Sequence, residues 1–293
     1  MYRSVKAAAI SLKPVKWDKA GNADRMEEFF SRAAREKPDL IVTTEGVLEG
    51  YVVTPIIEDV SLAQRMYDVA EPVDGPYIRR FRKLAKSLKT CLCFGFAELD
   101  GKDVFNTAVF IAPSGDICGT YRKVQLAEGT HPTWFFNRVG KTLRAFDTPV
   151  GRIGIVICND RWNPMIVRTL VMDGAQMVLI PSYGSRSHKQ NETVLARARE
   201  NGVPIVNANV GMNLIISKGE IVAYKWGVDQ ITTGVIEVPE WPSASRAREM
   251  EAEYFRLQGP EMEKRYENKM KKLRGEKSAY DEAAMGALLS TLK

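Results

Sequence analysis

One cysteine of the chain lies where a reactive thiol could be used. The apolar run 153–157 precedes Cys158 and is typical of a buried strand that is covered on both faces. Asn163 and Pro164 then suit an N-cap and a first helical residue, so Cys158 lies in a strand-to-helix turn. Backbone N–H groups point outward at such a turn and favour a thiolate. A buried structural cysteine is the alternative, because free cysteines are among the most buried residues.

Two charged residues also follow predicted strands. Glu45 comes after the strand 40–42, and Lys123 comes after the strand 117–121. Each of them, taken alone, is also what an ordinary surface loop would carry. Together with Cys158, however, they share a position at the end of a strand, which is where open α/β sheets bind their ligands.

The remaining cysteines and the histidines form no recognisable metal or disulfide pattern. The chain contains four cysteines and two histidines, without a Cys-x-x-Cys pair. Cys91 and Cys93 alternate along a predicted strand, so they face the same side and are expected to pack there. We therefore expect neither a zinc site of the Cys/His kind nor a disulfide framework.

Hydrophobic periodicity predicts one α/β unit of alternating strands and helices. Strands are predicted at 5–12, 40–42, 91–98, 104–112, 117–121, 144–147, 153–157, 176–180, 203–208, 214–217, 220–224 and 231–238. Helices are predicted at 22–36, 60–69, 77–88, 165–173 and 191–201. Tight turns after residues 98 and 112 indicate that the sheet is partly antiparallel.

The composition is ordinary for a soluble globular protein of 293 residues, with 45% hydrophobic and 27% charged residues. The net charge is +6, but the basic residues are interspersed with acidic ones and no recognition motif stands out. We therefore expect no nucleic-acid partner. No apolar run approaches the length of a membrane span and no signal-peptide pattern is present, so we expect a cytoplasmic protein without membrane association.

The composition changes beyond the last predicted strand. Residues 243–277 are rich in Glu, Lys and Arg at helical spacing, and Gly259 and Pro260 are expected to divide the segment. Such a segment is too polar to form its own core. We expect one domain at 1–240 and a polar helical C-terminal arm at 241–293, which is either a loosely attached tail or a segment that wraps a partner subunit.

Three motifs then carry a resemblance to a known family. Glu45 stands in Thr-Glu-Gly, Lys123 in Tyr-Arg-Lys-Val-Gln-Leu, and Cys158 in Gly-Ile-Val-Ile-Cys-Asn-Asp. In this order they resemble the nitrilase, or carbon–nitrogen hydrolase, superfamily. The similarity extends from about residue 5 to about residue 238 and includes Gly-Arg-Ile-Gly at 151–154 and Arg-Ala-Arg-Glu-Asn at 197–201. Each motif alone is weak, but the set in order is a strong indication.

The resemblance implies an α/β fold, a four-layer α-β-β-α sandwich of the nitrilase type. It also implies that Glu45, Lys123 and Cys158 form a catalytic triad at the sheet ends, with no metal and no organic cofactor. Family members usually assemble through paired sandwiches, and a C-terminal arm crosses between subunits. A homodimer or higher homo-oligomer is therefore expected, with 241–293 as a contact.

The residue types suit the chemistry that the resemblance implies. A Cys158 thiolate would attack an amide or nitrile carbon. Glu45 would act as general base, would return a proton to the departing ammonia or amine, and would then activate the water that hydrolyses the thioester. Lys123 and a backbone N–H after the cysteine would stabilise the oxyanion.

The chain departs from the family pattern at two places. Thr44 stands where many relatives have Pro before the catalytic Glu. Relatives also often carry a second Glu soon after the Lys. Here Glu128 comes sooner than usual and His131 lies at about the usual distance. Either residue could assist the site, and either could be an ordinary loop residue.

The residues after the cysteine bear on the substrate. True nitrilases tend to have Trp-Glu there, whereas this chain has Asn-Asp-Arg, as amidases and N-carbamoyl amino acid hydrolases do. Arg161 could hold a substrate carboxylate by paired hydrogen bonds, although Trp162 stands where a second Arg might be expected. We therefore expect hydrolysis of a small linear amide or carbamoyl compound with release of ammonia. A nitrilase and a catalytically silent oligomeric binding or scaffold protein are the alternatives.

Loops at the strand ends are expected to shape the substrate pocket. The irregular loop 127–141 is aromatic, which is more typical of a segment that folds over a ligand than of a solvated loop. The predicted substrate-binding residues are Tyr51, Trp134, Asn159, Arg161 and Tyr183.

Overall fold

Two six-stranded sheets form the centre of the computed structural model, which describes residues 2–127, 129, 135–184, 187–240, 247–273, 275 and 276. The first sheet contains β1 (Tyr2–Ile10), β2 (Leu40–Val42), β3 (Cys91–Asp100), β4 (Asp103–Ile111), β5 (Ile117–Arg122) and β12 (Ile231–Pro239). The second sheet contains β6 (Phe146–Thr148), β7 (Gly151–Ile155), β8 (Met177–Ser182), β9 (Ile205–Asn209), β10 (Met212–Ser217) and β11 (Glu220–Trp226).

Each sheet combines parallel and antiparallel strands. The strand order is β12-β1-β2-β3-β4-β5 in the first sheet and β11-β10-β9-β8-β7-β6 in the second. The neighbours β1, β2 and β3 are parallel, as are β7, β8 and β9, and the other pairs are antiparallel. The prediction of a partly antiparallel sheet is confirmed. The carboxyl ends of the parallel strands lie at one edge of each sheet, which is where the predicted site residues follow β2 and β7.

Helices cover the outer faces of the two sheets. The helices are α1 (Lys19–Ala34), α2 (Val53–Glu58), α3 (Met66–Val69), α4 (Pro76–Leu88), α5 (Pro164–Met172), α6 (His188–Asn201) and α7 (Ala247–Leu273). Apolar residues of α1 and α4 pack on the first sheet, and those of α5 and α6 pack on the second. The predicted helix 60–69 is instead a 3-10 turn, Val60–Arg65, followed by the single turn of α3.

The inner strands β2, β8, β9 and β10 are buried along their whole length. Ala8 of β1 packs in the cluster that contains α1 and α4, whereas Ala7 and Ala9 pack in the cluster that contains the second sheet. Cys91 and Cys93 of β3 both belong to this second cluster, so the prediction that they pack on one side is confirmed. The layers are therefore helix, sheet, sheet, helix, which confirms the predicted α-β-β-α sandwich.

The helix after the cysteine turn begins as its sequence predicts. The side chain of Asn163 accepts a hydrogen bond of 3.0 Å from the backbone N–H of Met165, and Pro164 is the first helical residue. The cap leaves one short 3-10 turn, Cys158–Trp162, between β7 and α5. Cys158 is the first residue of that turn.

The polar segment near the C-terminus forms a continuous helix. Gly259 and Pro260 lie inside α7, so the prediction that they divide the segment is wrong. A proline removes one intrahelical hydrogen bond, and the turns on either side carry the helix across it. Within the described residues, no helix, α7 included, combines the length and the apolar character that crossing a bilayer requires.

The first half of α7 docks on its own chain. Tyr254 is 1% exposed and packs in the cluster that contains the second sheet and α5. The carboxylate of Glu251 accepts a hydrogen bond of 2.6 Å from the backbone N–H of Leu143 and lies 2.6 Å from the guanidinium of Arg144. The arm is therefore attached to its own sandwich in this part of α7.

The packing of Tyr254 predicts an asymmetric response to substitution. Tyr254→Ala should lower the free energy of unfolding by about 3–5 kcal/mol, because it removes a large buried ring. Tyr254→Phe should not lower it, because the hydroxyl has no hydrogen-bond partner among the described residues. Urea denaturation measures both. Leu257→Ala, at a side chain that is 43% exposed, is the control. Equal stability of the Ala variants at 254 and 257 would contradict the docking.

Candidate active site

A fully buried ion pair lies at the edge where the strands of the first sheet end. Glu45 follows β2 and Lys123 follows β5 directly. The Nζ atom of Lys123 donates a hydrogen bond of 2.7 Å to Oε1 of Glu45, and both side chains are 0% exposed. The two strands lie apart in the sheet, so only the tertiary fold brings the two charges together.

Two further donors hold the Glu45 carboxylate. The side-chain amide of Asn106 on β4 donates to Oε1 at 2.8 Å, and the backbone N–H of Tyr183 donates to Oε2 at 2.9 Å. Tyr183 follows β8 of the second sheet, so this bond joins the two sheets across the site. Charged carboxylates that accept several such bonds keep one orientation.

Cys158 faces this pair from the second sheet. Its Sγ atom lies 3.7 Å from the carbonyl oxygen of Tyr183, the residue whose N–H binds Glu45. Burial and the nearby Glu45 carboxylate raise the pKa of the Cys158 thiol, while the Arg161 and Lys123 cations oppose that rise. The backbone φ of Cys158 is +47°, a left-handed conformation that residues with a side chain rarely adopt.

Asp160 ties the cysteine turn to the strand end that carries Lys123. Its carboxylate accepts three hydrogen bonds of 2.8 Å, from the backbone N–H groups of Ile157 and Gln125 and from the hydroxyl of Tyr121. Burial raises the pKa of this carboxyl group to about 6, although these bonds and Lys123 lower it. Asp160 therefore connects β5 and β7 directly beneath the site.

The residues predicted to bind substrate do not all face one pocket. The rings of Tyr51 and Tyr183 stack with centroids 4.4 Å apart, and the Nζ atom of Lys16 lies 5.7 Å from the centre of the Tyr183 ring. Asn159 does not stand free, because its amide donates to the backbone carbonyl of Gln125 at 3.2 Å. Three other predicted residues, Glu128, His131 and Trp134, lie outside the described residues.

A narrow cavity lies beside the ion pair. The volume within it that a water-sized sphere can occupy is about 10 Å³. Its lining includes Glu49, Tyr51, Asn106, Phe136 and Asn137. Because Asn106 also holds Glu45, the cavity reaches the residues around the candidate base. A space of this size holds about one water molecule.

Glu49 is a second buried carboxyl group in this region. Its Oε2 atom accepts a hydrogen bond of 2.9 Å from the backbone N–H of Ala97 on β3. Burial raises the pKa of Glu49 to about 7, while hydrogen bonds from backbone N–H groups, those of Glu49 itself, Ala97 and Tyr51, lower it. The side chain therefore pins the loop that runs from Glu45 to Tyr51.

Sequence reasoning missed Asn106, Asp160 and Glu49. Asp160 had a signal, because it stands two residues after the cysteine in a turn that needs its N–H groups satisfied. Asn106 lies within an apolar strand, where a polar residue with an inward side chain is itself a signal of a buried partner. Glu49 has the character of an ordinary loop carboxylate in the sequence.

The fold and the site define a class of protein, an α-β-β-α sandwich with a buried Glu–Lys pair beside a cysteine turn. The family model for carbon-nitrogen hydrolases matches residues 6–224 of the chain. The chain therefore belongs to the carbon-nitrogen hydrolase family, as its motifs predict.

Known members of the family differ in what they act on. A citrullinase from Francisella tularensis is 25% identical over 219 residues, which span 70% of this chain and 74% of that enzyme. An N-carbamoylputrescine amidase from Oryza sativa subsp. japonica is 30% identical over 200 residues, 66% of this chain and 62% of the rice enzyme. The match thus spans less than two thirds of the rice enzyme's length.

Solved structures of an amidase from Nesterenkonia sp. AN1 share the fold. One is 21% identical with a TM-score of 0.66, covering 86% of this chain and 98% of the amidase. Another, 20% identical with a TM-score of 0.66 and the same coverage, records the Michael addition of acrylamide at that enzyme's active-site cysteine. At this identity the likeness confirms the fold alone.

The backbone beneath Glu45 predicts the effect of a small substitution. A Cβ atom added to Gly95 of β3 would lie 2.7 Å from Cα of Glu45 and 2.7 Å from the backbone nitrogen of Gly46. Backbone atoms cannot give way cheaply, so Gly95→Ala should lower the free energy of unfolding by about 1–3 kcal/mol. Gly259→Ala, where a Cβ meets nothing within 4 Å, is the control. Equal stability of the two variants in chemical denaturation would contradict the close approach.

The buried Glu49 predicts a pH-dependent stability. Because its pKa is raised from 4.5 to about 7, the folded protein binds this proton more tightly than the unfolded chain does. The contribution is fully present below about pH 4.5 and should be lost as the pH rises to about 7, a change of about 3 kcal/mol.

Denaturation across this pH range tests that contribution. Glu49→Gln should abolish the corresponding part of the decrease in unfolding free energy, because the side chain no longer titrates. Glu28→Gln, at an exposed carboxylate, is the matched control and should leave the decrease as it is in the wild type. The same pH dependence in both variants would rule out Glu49 as its source.

Proposed function

We propose that the protein hydrolyses a small linear amide or N-carbamoyl compound through a cysteine thioester and releases ammonia. The observation that carries this proposal is the fully buried contact between Lys123 and Glu45 at 2.7 Å, beside Cys158. A carboxylate and an ammonium group held away from water beside a thiol can supply the general base and the oxyanion stabilisation for acyl transfer from nitrogen to sulfur. Membership in the carbon-nitrogen hydrolase family supports the same reaction.

The first half of the reaction uses all three residues. Glu45 takes the proton of the Cys158 thiol, and the thiolate forms a C–S bond to the carbonyl carbon while the C=O electron pair moves to oxygen. The ammonium group of Lys123 stabilises that oxyanion. When the C–N bond breaks, Glu45 returns the proton to nitrogen and ammonia leaves a thioester on Cys158.

The second half removes the thioester. Glu45 takes a proton from a water molecule whose oxygen attacks the acyl carbon, and Lys123 again stabilises the oxyanion. The C–S bond breaks, the proton returns to sulfur, and an acid leaves as the second product. The three donors on Glu45, from Lys123, Asn106 and Tyr183, support this role because they hold one carboxylate in place for both proton transfers.

The oligomeric state and the role of the arm belong to the same proposal. We propose that the chain works as a homo-oligomer and that residues 241–293 contribute a contact between subunits. The support is compositional, because the described part of α7 carries many charged residues and only its Tyr254 is fully buried.

Ammonia release from a panel of primary amides, N-carbamoyl amino acids and amines, and nitriles tests the reaction. The wild type should release ammonia from an amide or carbamoyl compound, and Cys158→Ala should retain less than about one thousandth of that rate. Cys118→Ala is the matched control, because it removes a partly buried thiol near the start of β5, the strand whose other end precedes Lys123, and should leave the rate unchanged. Release by the Cys158→Ala variant would overturn the proposal, and release from nitriles alone would replace it with a nitrilase.

A further inference from the structure

Arg161 lies against the candidate nucleophile rather than in the open pocket. It is the third residue after Cys158, and it is 1% exposed. Its Nε atom donates a hydrogen bond of 2.5 Å to the backbone carbonyl of Cys158, and its Nη2 atom lies 3.0 Å from Sγ of the same residue. One guanidinium therefore contacts both the backbone and the sulfur of Cys158.

This position conflicts with the role that the sequence predicts for Arg161. A carboxylate is held best by two parallel N–H groups of one guanidinium. Here Nε and Nη2 are already used by Cys158, and Nη1 is a buried atom without a partner among the described residues. A substrate carboxylate could take the usual paired geometry at Nε and Nη2 only if Arg161 released the nucleophile.

The charges around Cys158 give the contact its importance. Among the residues that the structure describes, the groups near the sulfur include the Glu45 carboxylate, the Lys123 ammonium, the Arg161 guanidinium and the Tyr183 carbonyl. Lys123 already forms an ion pair with Glu45, whereas Arg161 forms no ion pair with any carboxylate in the part of the chain that the structure describes. Among the described residues near the sulfur, Arg161 is therefore the cation without a carboxylate partner, and a thiolate on Cys158 would balance its charge.

The hydrogen bond from Nε of Arg161 restrains the backbone of Cys158. Cys158 has a φ of +47°, and residues with a side chain hold such a conformation only where their surroundings impose it. The bond from Nε of Arg161 to the Cys158 carbonyl fixes the peptide group that follows this strained residue. It therefore helps to set the direction in which Sγ leaves the turn.

We propose that Arg161 is a positioning residue for the nucleophile, which favours the thiolate of Cys158 and holds its left-handed backbone, and that it is not a clamp for a substrate carboxylate. The proposal rests on the role of Cys158 in the proposed function. It assigns recognition of the substrate to the other pocket residues, and it predicts that substrates without a carboxylate use Arg161 as fully as those with one.

The rate of Cys158 alkylation by iodoacetamide, followed by mass spectrometry of its peptide across the pH range, tests the proposal without a substrate. In Arg161→Gln the apparent pKa of Cys158 should rise, because the lost cation favours the thiolate. For each unit of such a rise the thiolate becomes about tenfold rarer and about threefold more nucleophilic, so alkylation near pH 7 should slow by about threefold per unit. The alkylation rate of Arg161→Lys should lie between those of the wild type and Arg161→Gln, because lysine keeps the positive charge but lacks the paired N–H donors of a guanidinium.

Arg197→Gln is the matched control. Arg197 on α6 has a side chain that is only 12% exposed, and it pairs with Glu200 rather than with the cysteine turn. This variant should keep the wild-type alkylation profile. An Arg161→Gln profile identical to that of Arg197→Gln would overturn the proposal. Thermal denaturation establishes whether each variant is folded. If Arg161→Gln is unfolded, an Arg161→Lys alkylation profile identical to that of the wild type would overturn the proposal.

Steady-state kinetics separate the two roles of Arg161. If Arg161 positions the nucleophile, Arg161→Gln should lower kcat for neutral and carboxylate-bearing substrates alike. A rise in KM confined to carboxylate-bearing substrates, with an unchanged alkylation profile, would show a clamp and overturn the proposal. Failure of the proposed function gives a different result from failure of this proposal. If Arg161→Gln shifts the alkylation profile but the wild type releases no ammonia from any compound, Arg161 still positions Cys158 and the proposed reaction is wrong.

Discussion

The buried ion pair between Lys123 and Glu45 is the interaction on which the rest of the site depends. Removing two charges from water costs several kcal/mol for each ion, and their attraction repays this only when good geometry and further hydrogen bonds are present. Asn106 and the backbone of Tyr183 supply those bonds. Because a buried pair of this kind adds little to stability, its presence is best explained by the strong electrostatic field that it creates in a dry site.

Packing of the two sheets brings the ends of three strands, β2, β5 and β7, together at this point. Glu45 and Lys123 come from the first sheet, and Cys158 comes from the second. Two sets of hydrogen bonds hold the sheets in register there. One joins Glu45 to the backbone of Tyr183, and the other joins Asp160 to both the cysteine turn and the residues on either side of Lys123. The candidate base and the candidate nucleophile are therefore positioned by hydrogen bonds between the sheets as well as by the packing of each sheet.

Much of this was open to prediction from local patterns. Strands with both faces buried are recognised by continuous apolar runs, and Asn163 with Pro164 marks the start of α5 because cap and first-turn preferences depend on neighbouring backbone groups only. Glu45, Lys123 and Cys158 were identified by their order and by the residues beside them. The continuity of α7 through Pro260 was not predicted, because the residues on both sides decide whether a helix continues when one hydrogen bond is lost.

By itself the sequence determined most of the elements and indicated the family, because periodicity, caps and short motifs are properties of contiguous residues. The order of the layers followed only from the resemblance to that family. Only the tertiary structure decided how the site is supported. Asn106, Asp160 and Arg161 acquire their partners from burial, and the ordinary properties of an amide, a carboxylate and a guanidinium do not reveal which atom each will face. Arg161 turned towards Cys158 because a buried cation must find acceptors within reach, and the nearest ones belong to the cysteine itself.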